Sequence, residues 1–410
     1  MTEKTAASPR GPLAGMRVLD LSHVMAGPVC GLMLADMGAD VIKVEKIDGG
    51  DDTRRMLPPA VNGEPAAFMM MNRNKRGLAV DLKSEGGRLV LERLAATADA
   101  LVENYRHDTL DRLGLGYERL SSINPGLIYC AISGFGRSGP LATQGGFDLV
   151  AQGMSGLMAI TGEAEGRPPV KVGAPVTDIS AGILGAMGVC AAYAQKLRTG
   201  KGQIVDTSLF EAGITMTYWQ SAIAFATGHS PGPLGSAHPL SAPYQAFRTA
   251  DGWLNLGASN QNTWTKCVTE VLGAPELAAD ARFRTNADRM ANLPALVEAL
   301  SAHFSTRTTA AWLARLEQAG VPAGPVLSIG EMHHHPQAIA REMVPTVEHP
   351  RAGSVQTIGL PVKFSATPGC VARPAPLHGE HTREILAEAG FTPAEISALI
   401  EAGAVGEPTA

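Results

Sequence analysis

A chain of 410 residues that is 45% hydrophobic and 18% charged is long enough for more than one hydrophobic core, so one large and one smaller domain are expected. Lys and Arg number 34 against 39 Asp and Glu, a net charge of −5, which argues against a dedicated nucleic-acid binder living on surplus cations. The five cysteines, Cys30, Cys130, Cys190, Cys267 and Cys370, are odd in number and form no CxxC pair. That usage fits neither a disulfide-stapled secreted domain nor a zinc knuckle, and a cytoplasmic setting is expected. Residues 1–15 are polar and punctuated by Pro and Gly, with no apolar run of a secretory signal.

Residues 17–22 (RVLDLS) read as a short buried strand. Ala26-Gly27-Pro28 opens a helix with proline in the first turn, where a missing N–H costs nothing. Val29, Leu32, Met33 and Met37 follow at helical spacing up to a stop at Gly38. Residues 40–45 are the next strand, and strand, helix and strand within about 30 residues make a parallel, right-handed βαβ unit. The alternation repeats with a strand at 78–81, a helix at 86–96 and a strand at 100–103. Helical stretches at 110–114 and 117–123 then precede a strand at 127–133. An open, mostly parallel, Rossmann-like α/β sheet is the economical reading. Residues 179–194 carry no charge over sixteen positions. They fall short of the roughly 20 that a bilayer demands, so a tightly packed interior helix is expected and no membrane partner.

After Ala212 the character changes. Residues 228–243 form a Gly/Pro/Ser/His-rich boundary loop or mobile lid. Residues 244–258 alternate around Asp251-Gly252, a type I′ hairpin signal. Helices at 264–272, 294–305 and 309–318 follow, giving a smaller α/β domain. Short strands at 344–347 and 353–358 and a last helix at 382–389 complete the chain. The expected division is 1–212 as the N-terminal part of the large domain, 213–336 as linker and small domain, and 337–410 as a return to the large domain.

No HExxH, GxSxG or GxxxxGK[ST] motif occurs, so zinc hydrolysis, α/β-hydrolase chemistry and P-loop phosphoryl transfer lack their usual support. Gly134-Phe135-Gly136-Arg137-Ser138-Gly139 matches GxGxxG, but Pro140 follows at once and no helix begins there, so a tight turn is the better reading. His333-His334-His335 are adjacent and cannot all converge on one ion; a solvated loop is expected, and no metal site. Asp178, before a long apolar helix, reads by itself as a cap.

Three segments combine into something more specific. They are His23-Val24-Met25-Ala26-Gly27-Pro28; Asn72-Arg73-Asn74-Lys75-Arg76 with residues 80–83, 103–106 and 110–112; and Thr177-Asp178-Ile179-Ser180-Ala181-Gly182 with residues 199–206. In order and spacing they resemble the family III CoA-transferases, the group containing formyl-CoA transferase, carnitine CoA-transferase and α-methylacyl-CoA racemase. The resemblance runs from about residue 11 to 389 and includes residues 320–325 and 379–382. It implies coenzyme A and acyl-CoA as substrates without a prosthetic group, a free carboxylic acid as CoA acceptor, and a homodimer of interlocked chains. By resemblance Asp178 is the nucleophile, forming an acyl anhydride and then an aspartyl-CoA thioester. Lys46, Lys83, Arg106 and Arg112 match positions at the nucleotide end of CoA, and Val24, Asn104 and Tyr105 positions along adenine and pantetheine, with Lys75 nearby. Two positions depart from formyl-CoA transferase: Met25 stands for a glutamine and Gly145 for a lysine. A small dicarboxylate acceptor, clamped by Arg137 or Arg248, and a lid at residues 228–243 complete the expectation. The alternative within the family is an acyl-CoA racemase or epimerase. Its histidine base falls at Phe147, which accepts no proton, so that reading needs another base such as His23. A further alternative is a non-catalytic or NAD-dependent α/β protein.

Overall fold

The computed structural model describes residues 11–408; the expectation of a leaderless N-terminus rests mainly on residues outside that range. The chain divides into two compact units. The first runs to Ser155 and takes in Val172–Met216 and the stretch from Pro336 onward; the second comprises Gly156–Lys171 and Thr217–His335.

The first unit is built on seven strands: β1 (Arg17–Asp20), β2 (Asp40–Glu45), β3 (Lys75–Val80), β4 (Ala100–Glu103), β5 (Ile128–Ser133), β6 (Ile204–Ser208) and β7 (Val405–Gly406). Their order across the sheet is β7-β3-β2-β1-β4-β5-β6. Six are parallel, with Val18 beside Val41 and Leu19 beside Leu101. β7 alone runs antiparallel, pairing Val405 with Val80. The helices that matter below are α1 (Ala26–Asp36), α2 (Glu85–Ala95), α3 (Thr109–Arg112), α4 (Tyr117–Ile123), α5 (Asp148–Met154), α6 (Val176–Thr199) and α7 (Leu209–Thr215). Because side chains alternate across a strand, Leu19, Ile42, Leu78 and Leu101 face one way, packing on Val90, Leu94 and Leu120. Val18, Val41, Ala100 and Ile128 face the other way, onto Cys30, Leu34, Ala181 and Val189.

Four expectations change. The strand placed at 78–81 begins at Lys75, because two buried cations are paired: Lys75 with Asp20 at 2.7 Å and Arg76 with Asp40 at 2.7 Å. The apolar helix is 24 residues long and only one face is interior. Ser180, Ala181, Gly185, Ala186 and Val189 are buried, whereas Met187 is 63% exposed. Gly182 allows the contact with α1, since a Cβ there would lie 2.5 Å from the Ala26 carbonyl oxygen. Asp251 and Gly252 join strands Tyr244–Arg248 and Trp253–Gly257 as foreseen, but neither has the positive φ that a type I′ turn needs. The Asp251 carboxylate instead accepts the Thr309 amide at 2.7 Å. Finally, the helix at Thr382–Glu388 is not the last: Pro393–Glu401 follows, started by a capping box between Thr392 and Glu395.

A buried ladder of charges joins β1, β2 and the start of β3. Lys75 Nζ also donates to the Pro28 carbonyl and Asn72 Oδ1, both at 2.9 Å. Lys43 meets Asp51 at 2.9 Å and donates to the Ser22 carbonyl, and the Ser22 hydroxyl donates to Asp20. Burial opposes ionisation of Asp20, yet Lys75 and then Lys43 hold its carboxyl below the usual range. Lys75→Met strands that carboxylate, and a loss of about 3–5 kcal/mol in urea unfolding is expected; a change within about 0.5 kcal/mol would contradict the pairing.

Candidate active site

From β1 the chain moves outward through β2 and β3, then crosses back to β4 and moves the other way through β5 and β6. The loops leaving β1 and β4 therefore diverge and open a crevice at the carboxyl edge. The two loops are tied across it: the His23 amide donates to Asn104 Oδ1 and Asn104 Nδ2 donates to the His23 carbonyl, both at 2.8 Å. The His23 and Tyr105 rings meet edge to face at 4.8 Å. Val24 holds φ at +67°, a left-handed conformation that costs a β-branched residue about 1–3 kcal/mol. Asp51, anchored by Lys43, accepts its amide at 3.2 Å.

Two cavities open here. One, of about 190 Å³, lies at the ends of β1 to β3 and is lined by Ser22, His23, Lys46, Leu82, Lys83 and Tyr105 among others. The other, of about 160 Å³, is lined by Asn104, Arg106, His107, Gly134, Phe147 and Asp178 among others. Tyr105 forms a wall of both.

Asp178 is the third residue of α6 and is half-buried. It is not the cap. That role falls to Asp148 at the start of α5, whose Oδ1 accepts the Thr177 amide at 3.0 Å and hydroxyl at 2.7 Å. Gln152 Nε2 holds the other Asp148 oxygen at 2.8 Å. Burial, and then the nearby Asp148 charge, push the Asp178 carboxyl up to about 6. The partial positive end of α6 favours the ionised form, and among the described residues no cationic side chain neutralises it.

The wall opposite is shaped by backbone. A Cβ on Gly134 would lie 2.6 Å from the Gly146 backbone, and one on Gly146 2.5 Å from Gly134. Only this close approach brings the segment bearing Phe147, itself 79% exposed, to the cavity.

The other expected residues are distributed as follows. Lys46 and Lys83 line the first cavity, with Lys46 3.0 Å from Asp52. Asn104 and Arg106 line the second, so Arg106 stands apart from those two lysines. Val24 lies on the loop between the cavities and lines neither. Arg112 also lines neither; its side chain is 68% exposed and pairs with Asp108 at 3.5 Å. Lys75 is sealed beneath the sheet with Asp20. Arg137 does not line either cavity; it donates to the buried Glu103, whose carboxyl burial pushes up to about 7 against the pull of Arg137. Arg248 lies in the second unit, 5.9 Å over the Trp253 ring. His23 lines the first cavity rather than that of Asp178, and burial followed by the Lys43 charge lowers its pKa. His333 and His334 belong to a short helix, Ile329–His334, not a loop. Two residues escaped sequence reasoning: Asp148, whose partner lies 29 positions away, and His107, which belongs to no motif.

Comparison with known proteins identifies the family. The sequence model of CoA-transferase family III matches residues 13–382. A succinyl-CoA:glutarate CoA-transferase of Mus musculus is 41% identical over 378 residues, covering 92% of this chain and 86% of that protein. A succinate–glutarate CoA-transferase of Agrobacterium fabrum is 40% identical over 92% of this chain and 95% of its own. An acetyl-CoA:oxalate CoA-transferase of Acetobacter aceti is 41% identical over 89% and 92%. The crystal structure of a CaiB/BaiF family protein from Brucella suis matches with a TM-score of 0.83 at 39% identity, covering 93% of this chain and all of that one. The chain belongs to CoA-transferase family III and is an enzyme of that family. The NAD-dependent and non-catalytic readings fall away.

The electrostatics are open to direct test. Following the Asp178 carboxyl carbon by NMR should give a titration midpoint near 6. In Asp148→Asn, which removes a neighbouring negative charge, the midpoint should fall; an unchanged midpoint would contradict the coupling.

Proposed function

We propose that this enzyme moves CoA from an acyl-CoA donor to a free carboxylic acid, a small dicarboxylate, with Asp178 as the nucleophile. One observation carries the reading: an Asp178 carboxylate without a cationic partner among the described residues borders a cavity that shares a wall, Tyr105, with a second cavity carrying two lysines.

In the first step an Asp178 oxygen attacks the donor thioester carbonyl, the C–S bond breaks, and an acyl-aspartyl anhydride and CoA thiolate result. The thiolate then attacks the Asp178 carbonyl carbon, releasing the donor acid and leaving an aspartyl-CoA thioester. The acceptor carboxylate displaces the thiolate to make a second anhydride. Finally the thiolate attacks the acceptor's carbonyl, giving the new acyl-CoA and regenerating Asp178. Each nucleophile is already an anion, so no general base is required. Lys46 and Lys83 supply cations for the nucleotide phosphates, while Asn104 and Tyr105 form the waist through which pantetheine passes, and Val24 shapes the loop that carries His23 to it. The relatives' names support a dicarboxylate acceptor, since they specify succinate, glutarate and oxalate. Racemisation is not favoured: Phe147 borders Asp178 and cannot exchange a proton, and His23 lines the other cavity.

A homodimer is part of the reading. Leu149, Val150 and Met154 on α5 and Ile183 and Met187 on α6 are exposed apolar side chains of one unit, the kind of surface that a second copy covers. The scattered cysteines support a cytoplasmic setting.

Asp178→Ala should retain CoA binding and lose transfer by about 10³-fold or more, read by chromatography of the CoA esters; near-normal transfer would overturn the assignment. Because attack needs the ionised carboxylate, kcat/KM of the wild type should rise with pH through about 6 and level off above. A rate that falls over that range would contradict an anionic nucleophile.

A further inference from the structure

The cavity of Asp178 holds two side chains that the covalent steps leave without a task, Arg106 and His107. Both are exposed, both line the cavity, and among the described residues neither side chain has a hydrogen-bond or ion-pair partner. The neighbouring cations differ. Lys75 is fixed on Asp20 and Arg137 on Glu103, Lys46 and Lys83 line the other cavity, and Arg112 lines neither. Arg106 and His107 therefore bring two side-chain donors without partners among the described residues to one short loop of the cavity.

That loop is held in shape. Asp108, next in sequence, adopts φ +63°, a left-handed conformation uncommon outside glycine. The Thr109 amide closes the turn on the Arg106 carbonyl at 3.2 Å. The rest of the lining is mixed: Ile132, Ala142, Phe147 and Leu209 are apolar, while Ser133, Gln144 and the glycine backbone are polar but uncharged. A dicarboxylate that places one carboxylate at the Asp178 acyl carbon must bring a second, unreactive carboxylate into this cavity, whose lining, among the described residues, holds a single guanidinium, that of Arg106. Burying that charge without a partner would be costly, and the guanidinium fork is the group best suited to take it.

We infer that Arg106 and His107 form the recognition site for the distal carboxylate of the acceptor acid, selecting dicarboxylates over monocarboxylates of equal length. The inference rests on the transfer reading above and assigns Arg106 to the acid rather than to the nucleotide end of CoA.

The experiment compares glutarate with pentanoate, which carries a methyl in place of the distal carboxylate, using the acyl-CoA that the wild type turns over best. Arg106→Gln should raise the KM for glutarate about 10- to 100-fold, the range for a lost charge-assisted hydrogen bond. His107→Gln should raise it less, and Arg106→Lys should recover part of the loss. Both Gln variants should shrink the preference for glutarate over pentanoate, while the Kd for free CoA stays within about twofold, since neither side chain lines the lysine-bearing cavity. A CoA Kd that rises with the glutarate KM would make these residues nucleotide contacts and overturn the inference. An unaltered glutarate preference would also overturn it, with the transfer reading intact. Failure of the wild type to pass CoA to either acid is a separate result, and it would remove the transfer reading and this inference together.

Discussion

The reversal of strand order between β1 and β4 is the constraint on which the site depends. Parallel strands whose connections leave in opposite directions cannot close the gap at their carboxyl edge. Here the gap is bridged by two hydrogen bonds between His23 and Asn104. The bridge sets Tyr105 as a shared partition between a lysine-bearing cavity and a carboxylate-bearing one. The glycine pair Gly134 and Gly146 brings in the far wall, and α6 delivers Asp178 from the opposite side of the crevice.

Two kinds of carboxylate serve the first unit and are treated differently. Asp20 and Asp51 are fully committed to Lys75 and Lys43, and such pairs fix the geometry of a loop without being free to react. Asp178 has a helix terminus and an acidic neighbour instead of a cation. It is thereby left ionised at neutral pH yet poorly stabilised, which suits a group that must attack a carbonyl and later leave it. Asp148 links the two roles: its oxygens organise the first turn of α6 while its charge lifts the pKa of Asp178.

Much of the fold was legible because apolar alternation alone marks β2 and β4 at their true ends, residues 40–45 and 100–103. Lys75 and Arg76 were missed as strand residues because their burial depends on Asp20, Asp40, Glu384 and Glu388, which sequence distance hides. The final helix carries its own signal in Thr392, Pro393 and Glu395, a capping box that apolar periodicity alone passes over. In the site, motif order sufficed to single out Asp178, Lys46, Lys83, Asn104 and Tyr105, which do gather around the crevice. Motif order could not separate Arg106 from the two lysines or reveal that Arg112 faces solvent. Nor could it tell that Arg137 is held by Glu103. Those are matters of which partner reaches a cation first, and only the packed chain decides them.

Covalent passage through Asp178 can be watched atom by atom. With an acceptor acid carrying ¹⁸O in its carboxylates, displacement of CoA makes the bridging oxygen of the second anhydride a labelled one. Collapse of that anhydride leaves this oxygen on the enzyme. Mass spectrometry of the peptide containing Asp178, after several turnovers in unlabelled water, should therefore find ¹⁸O in its side chain. Completed transfer with an unlabelled Asp178 would contradict the anhydride route.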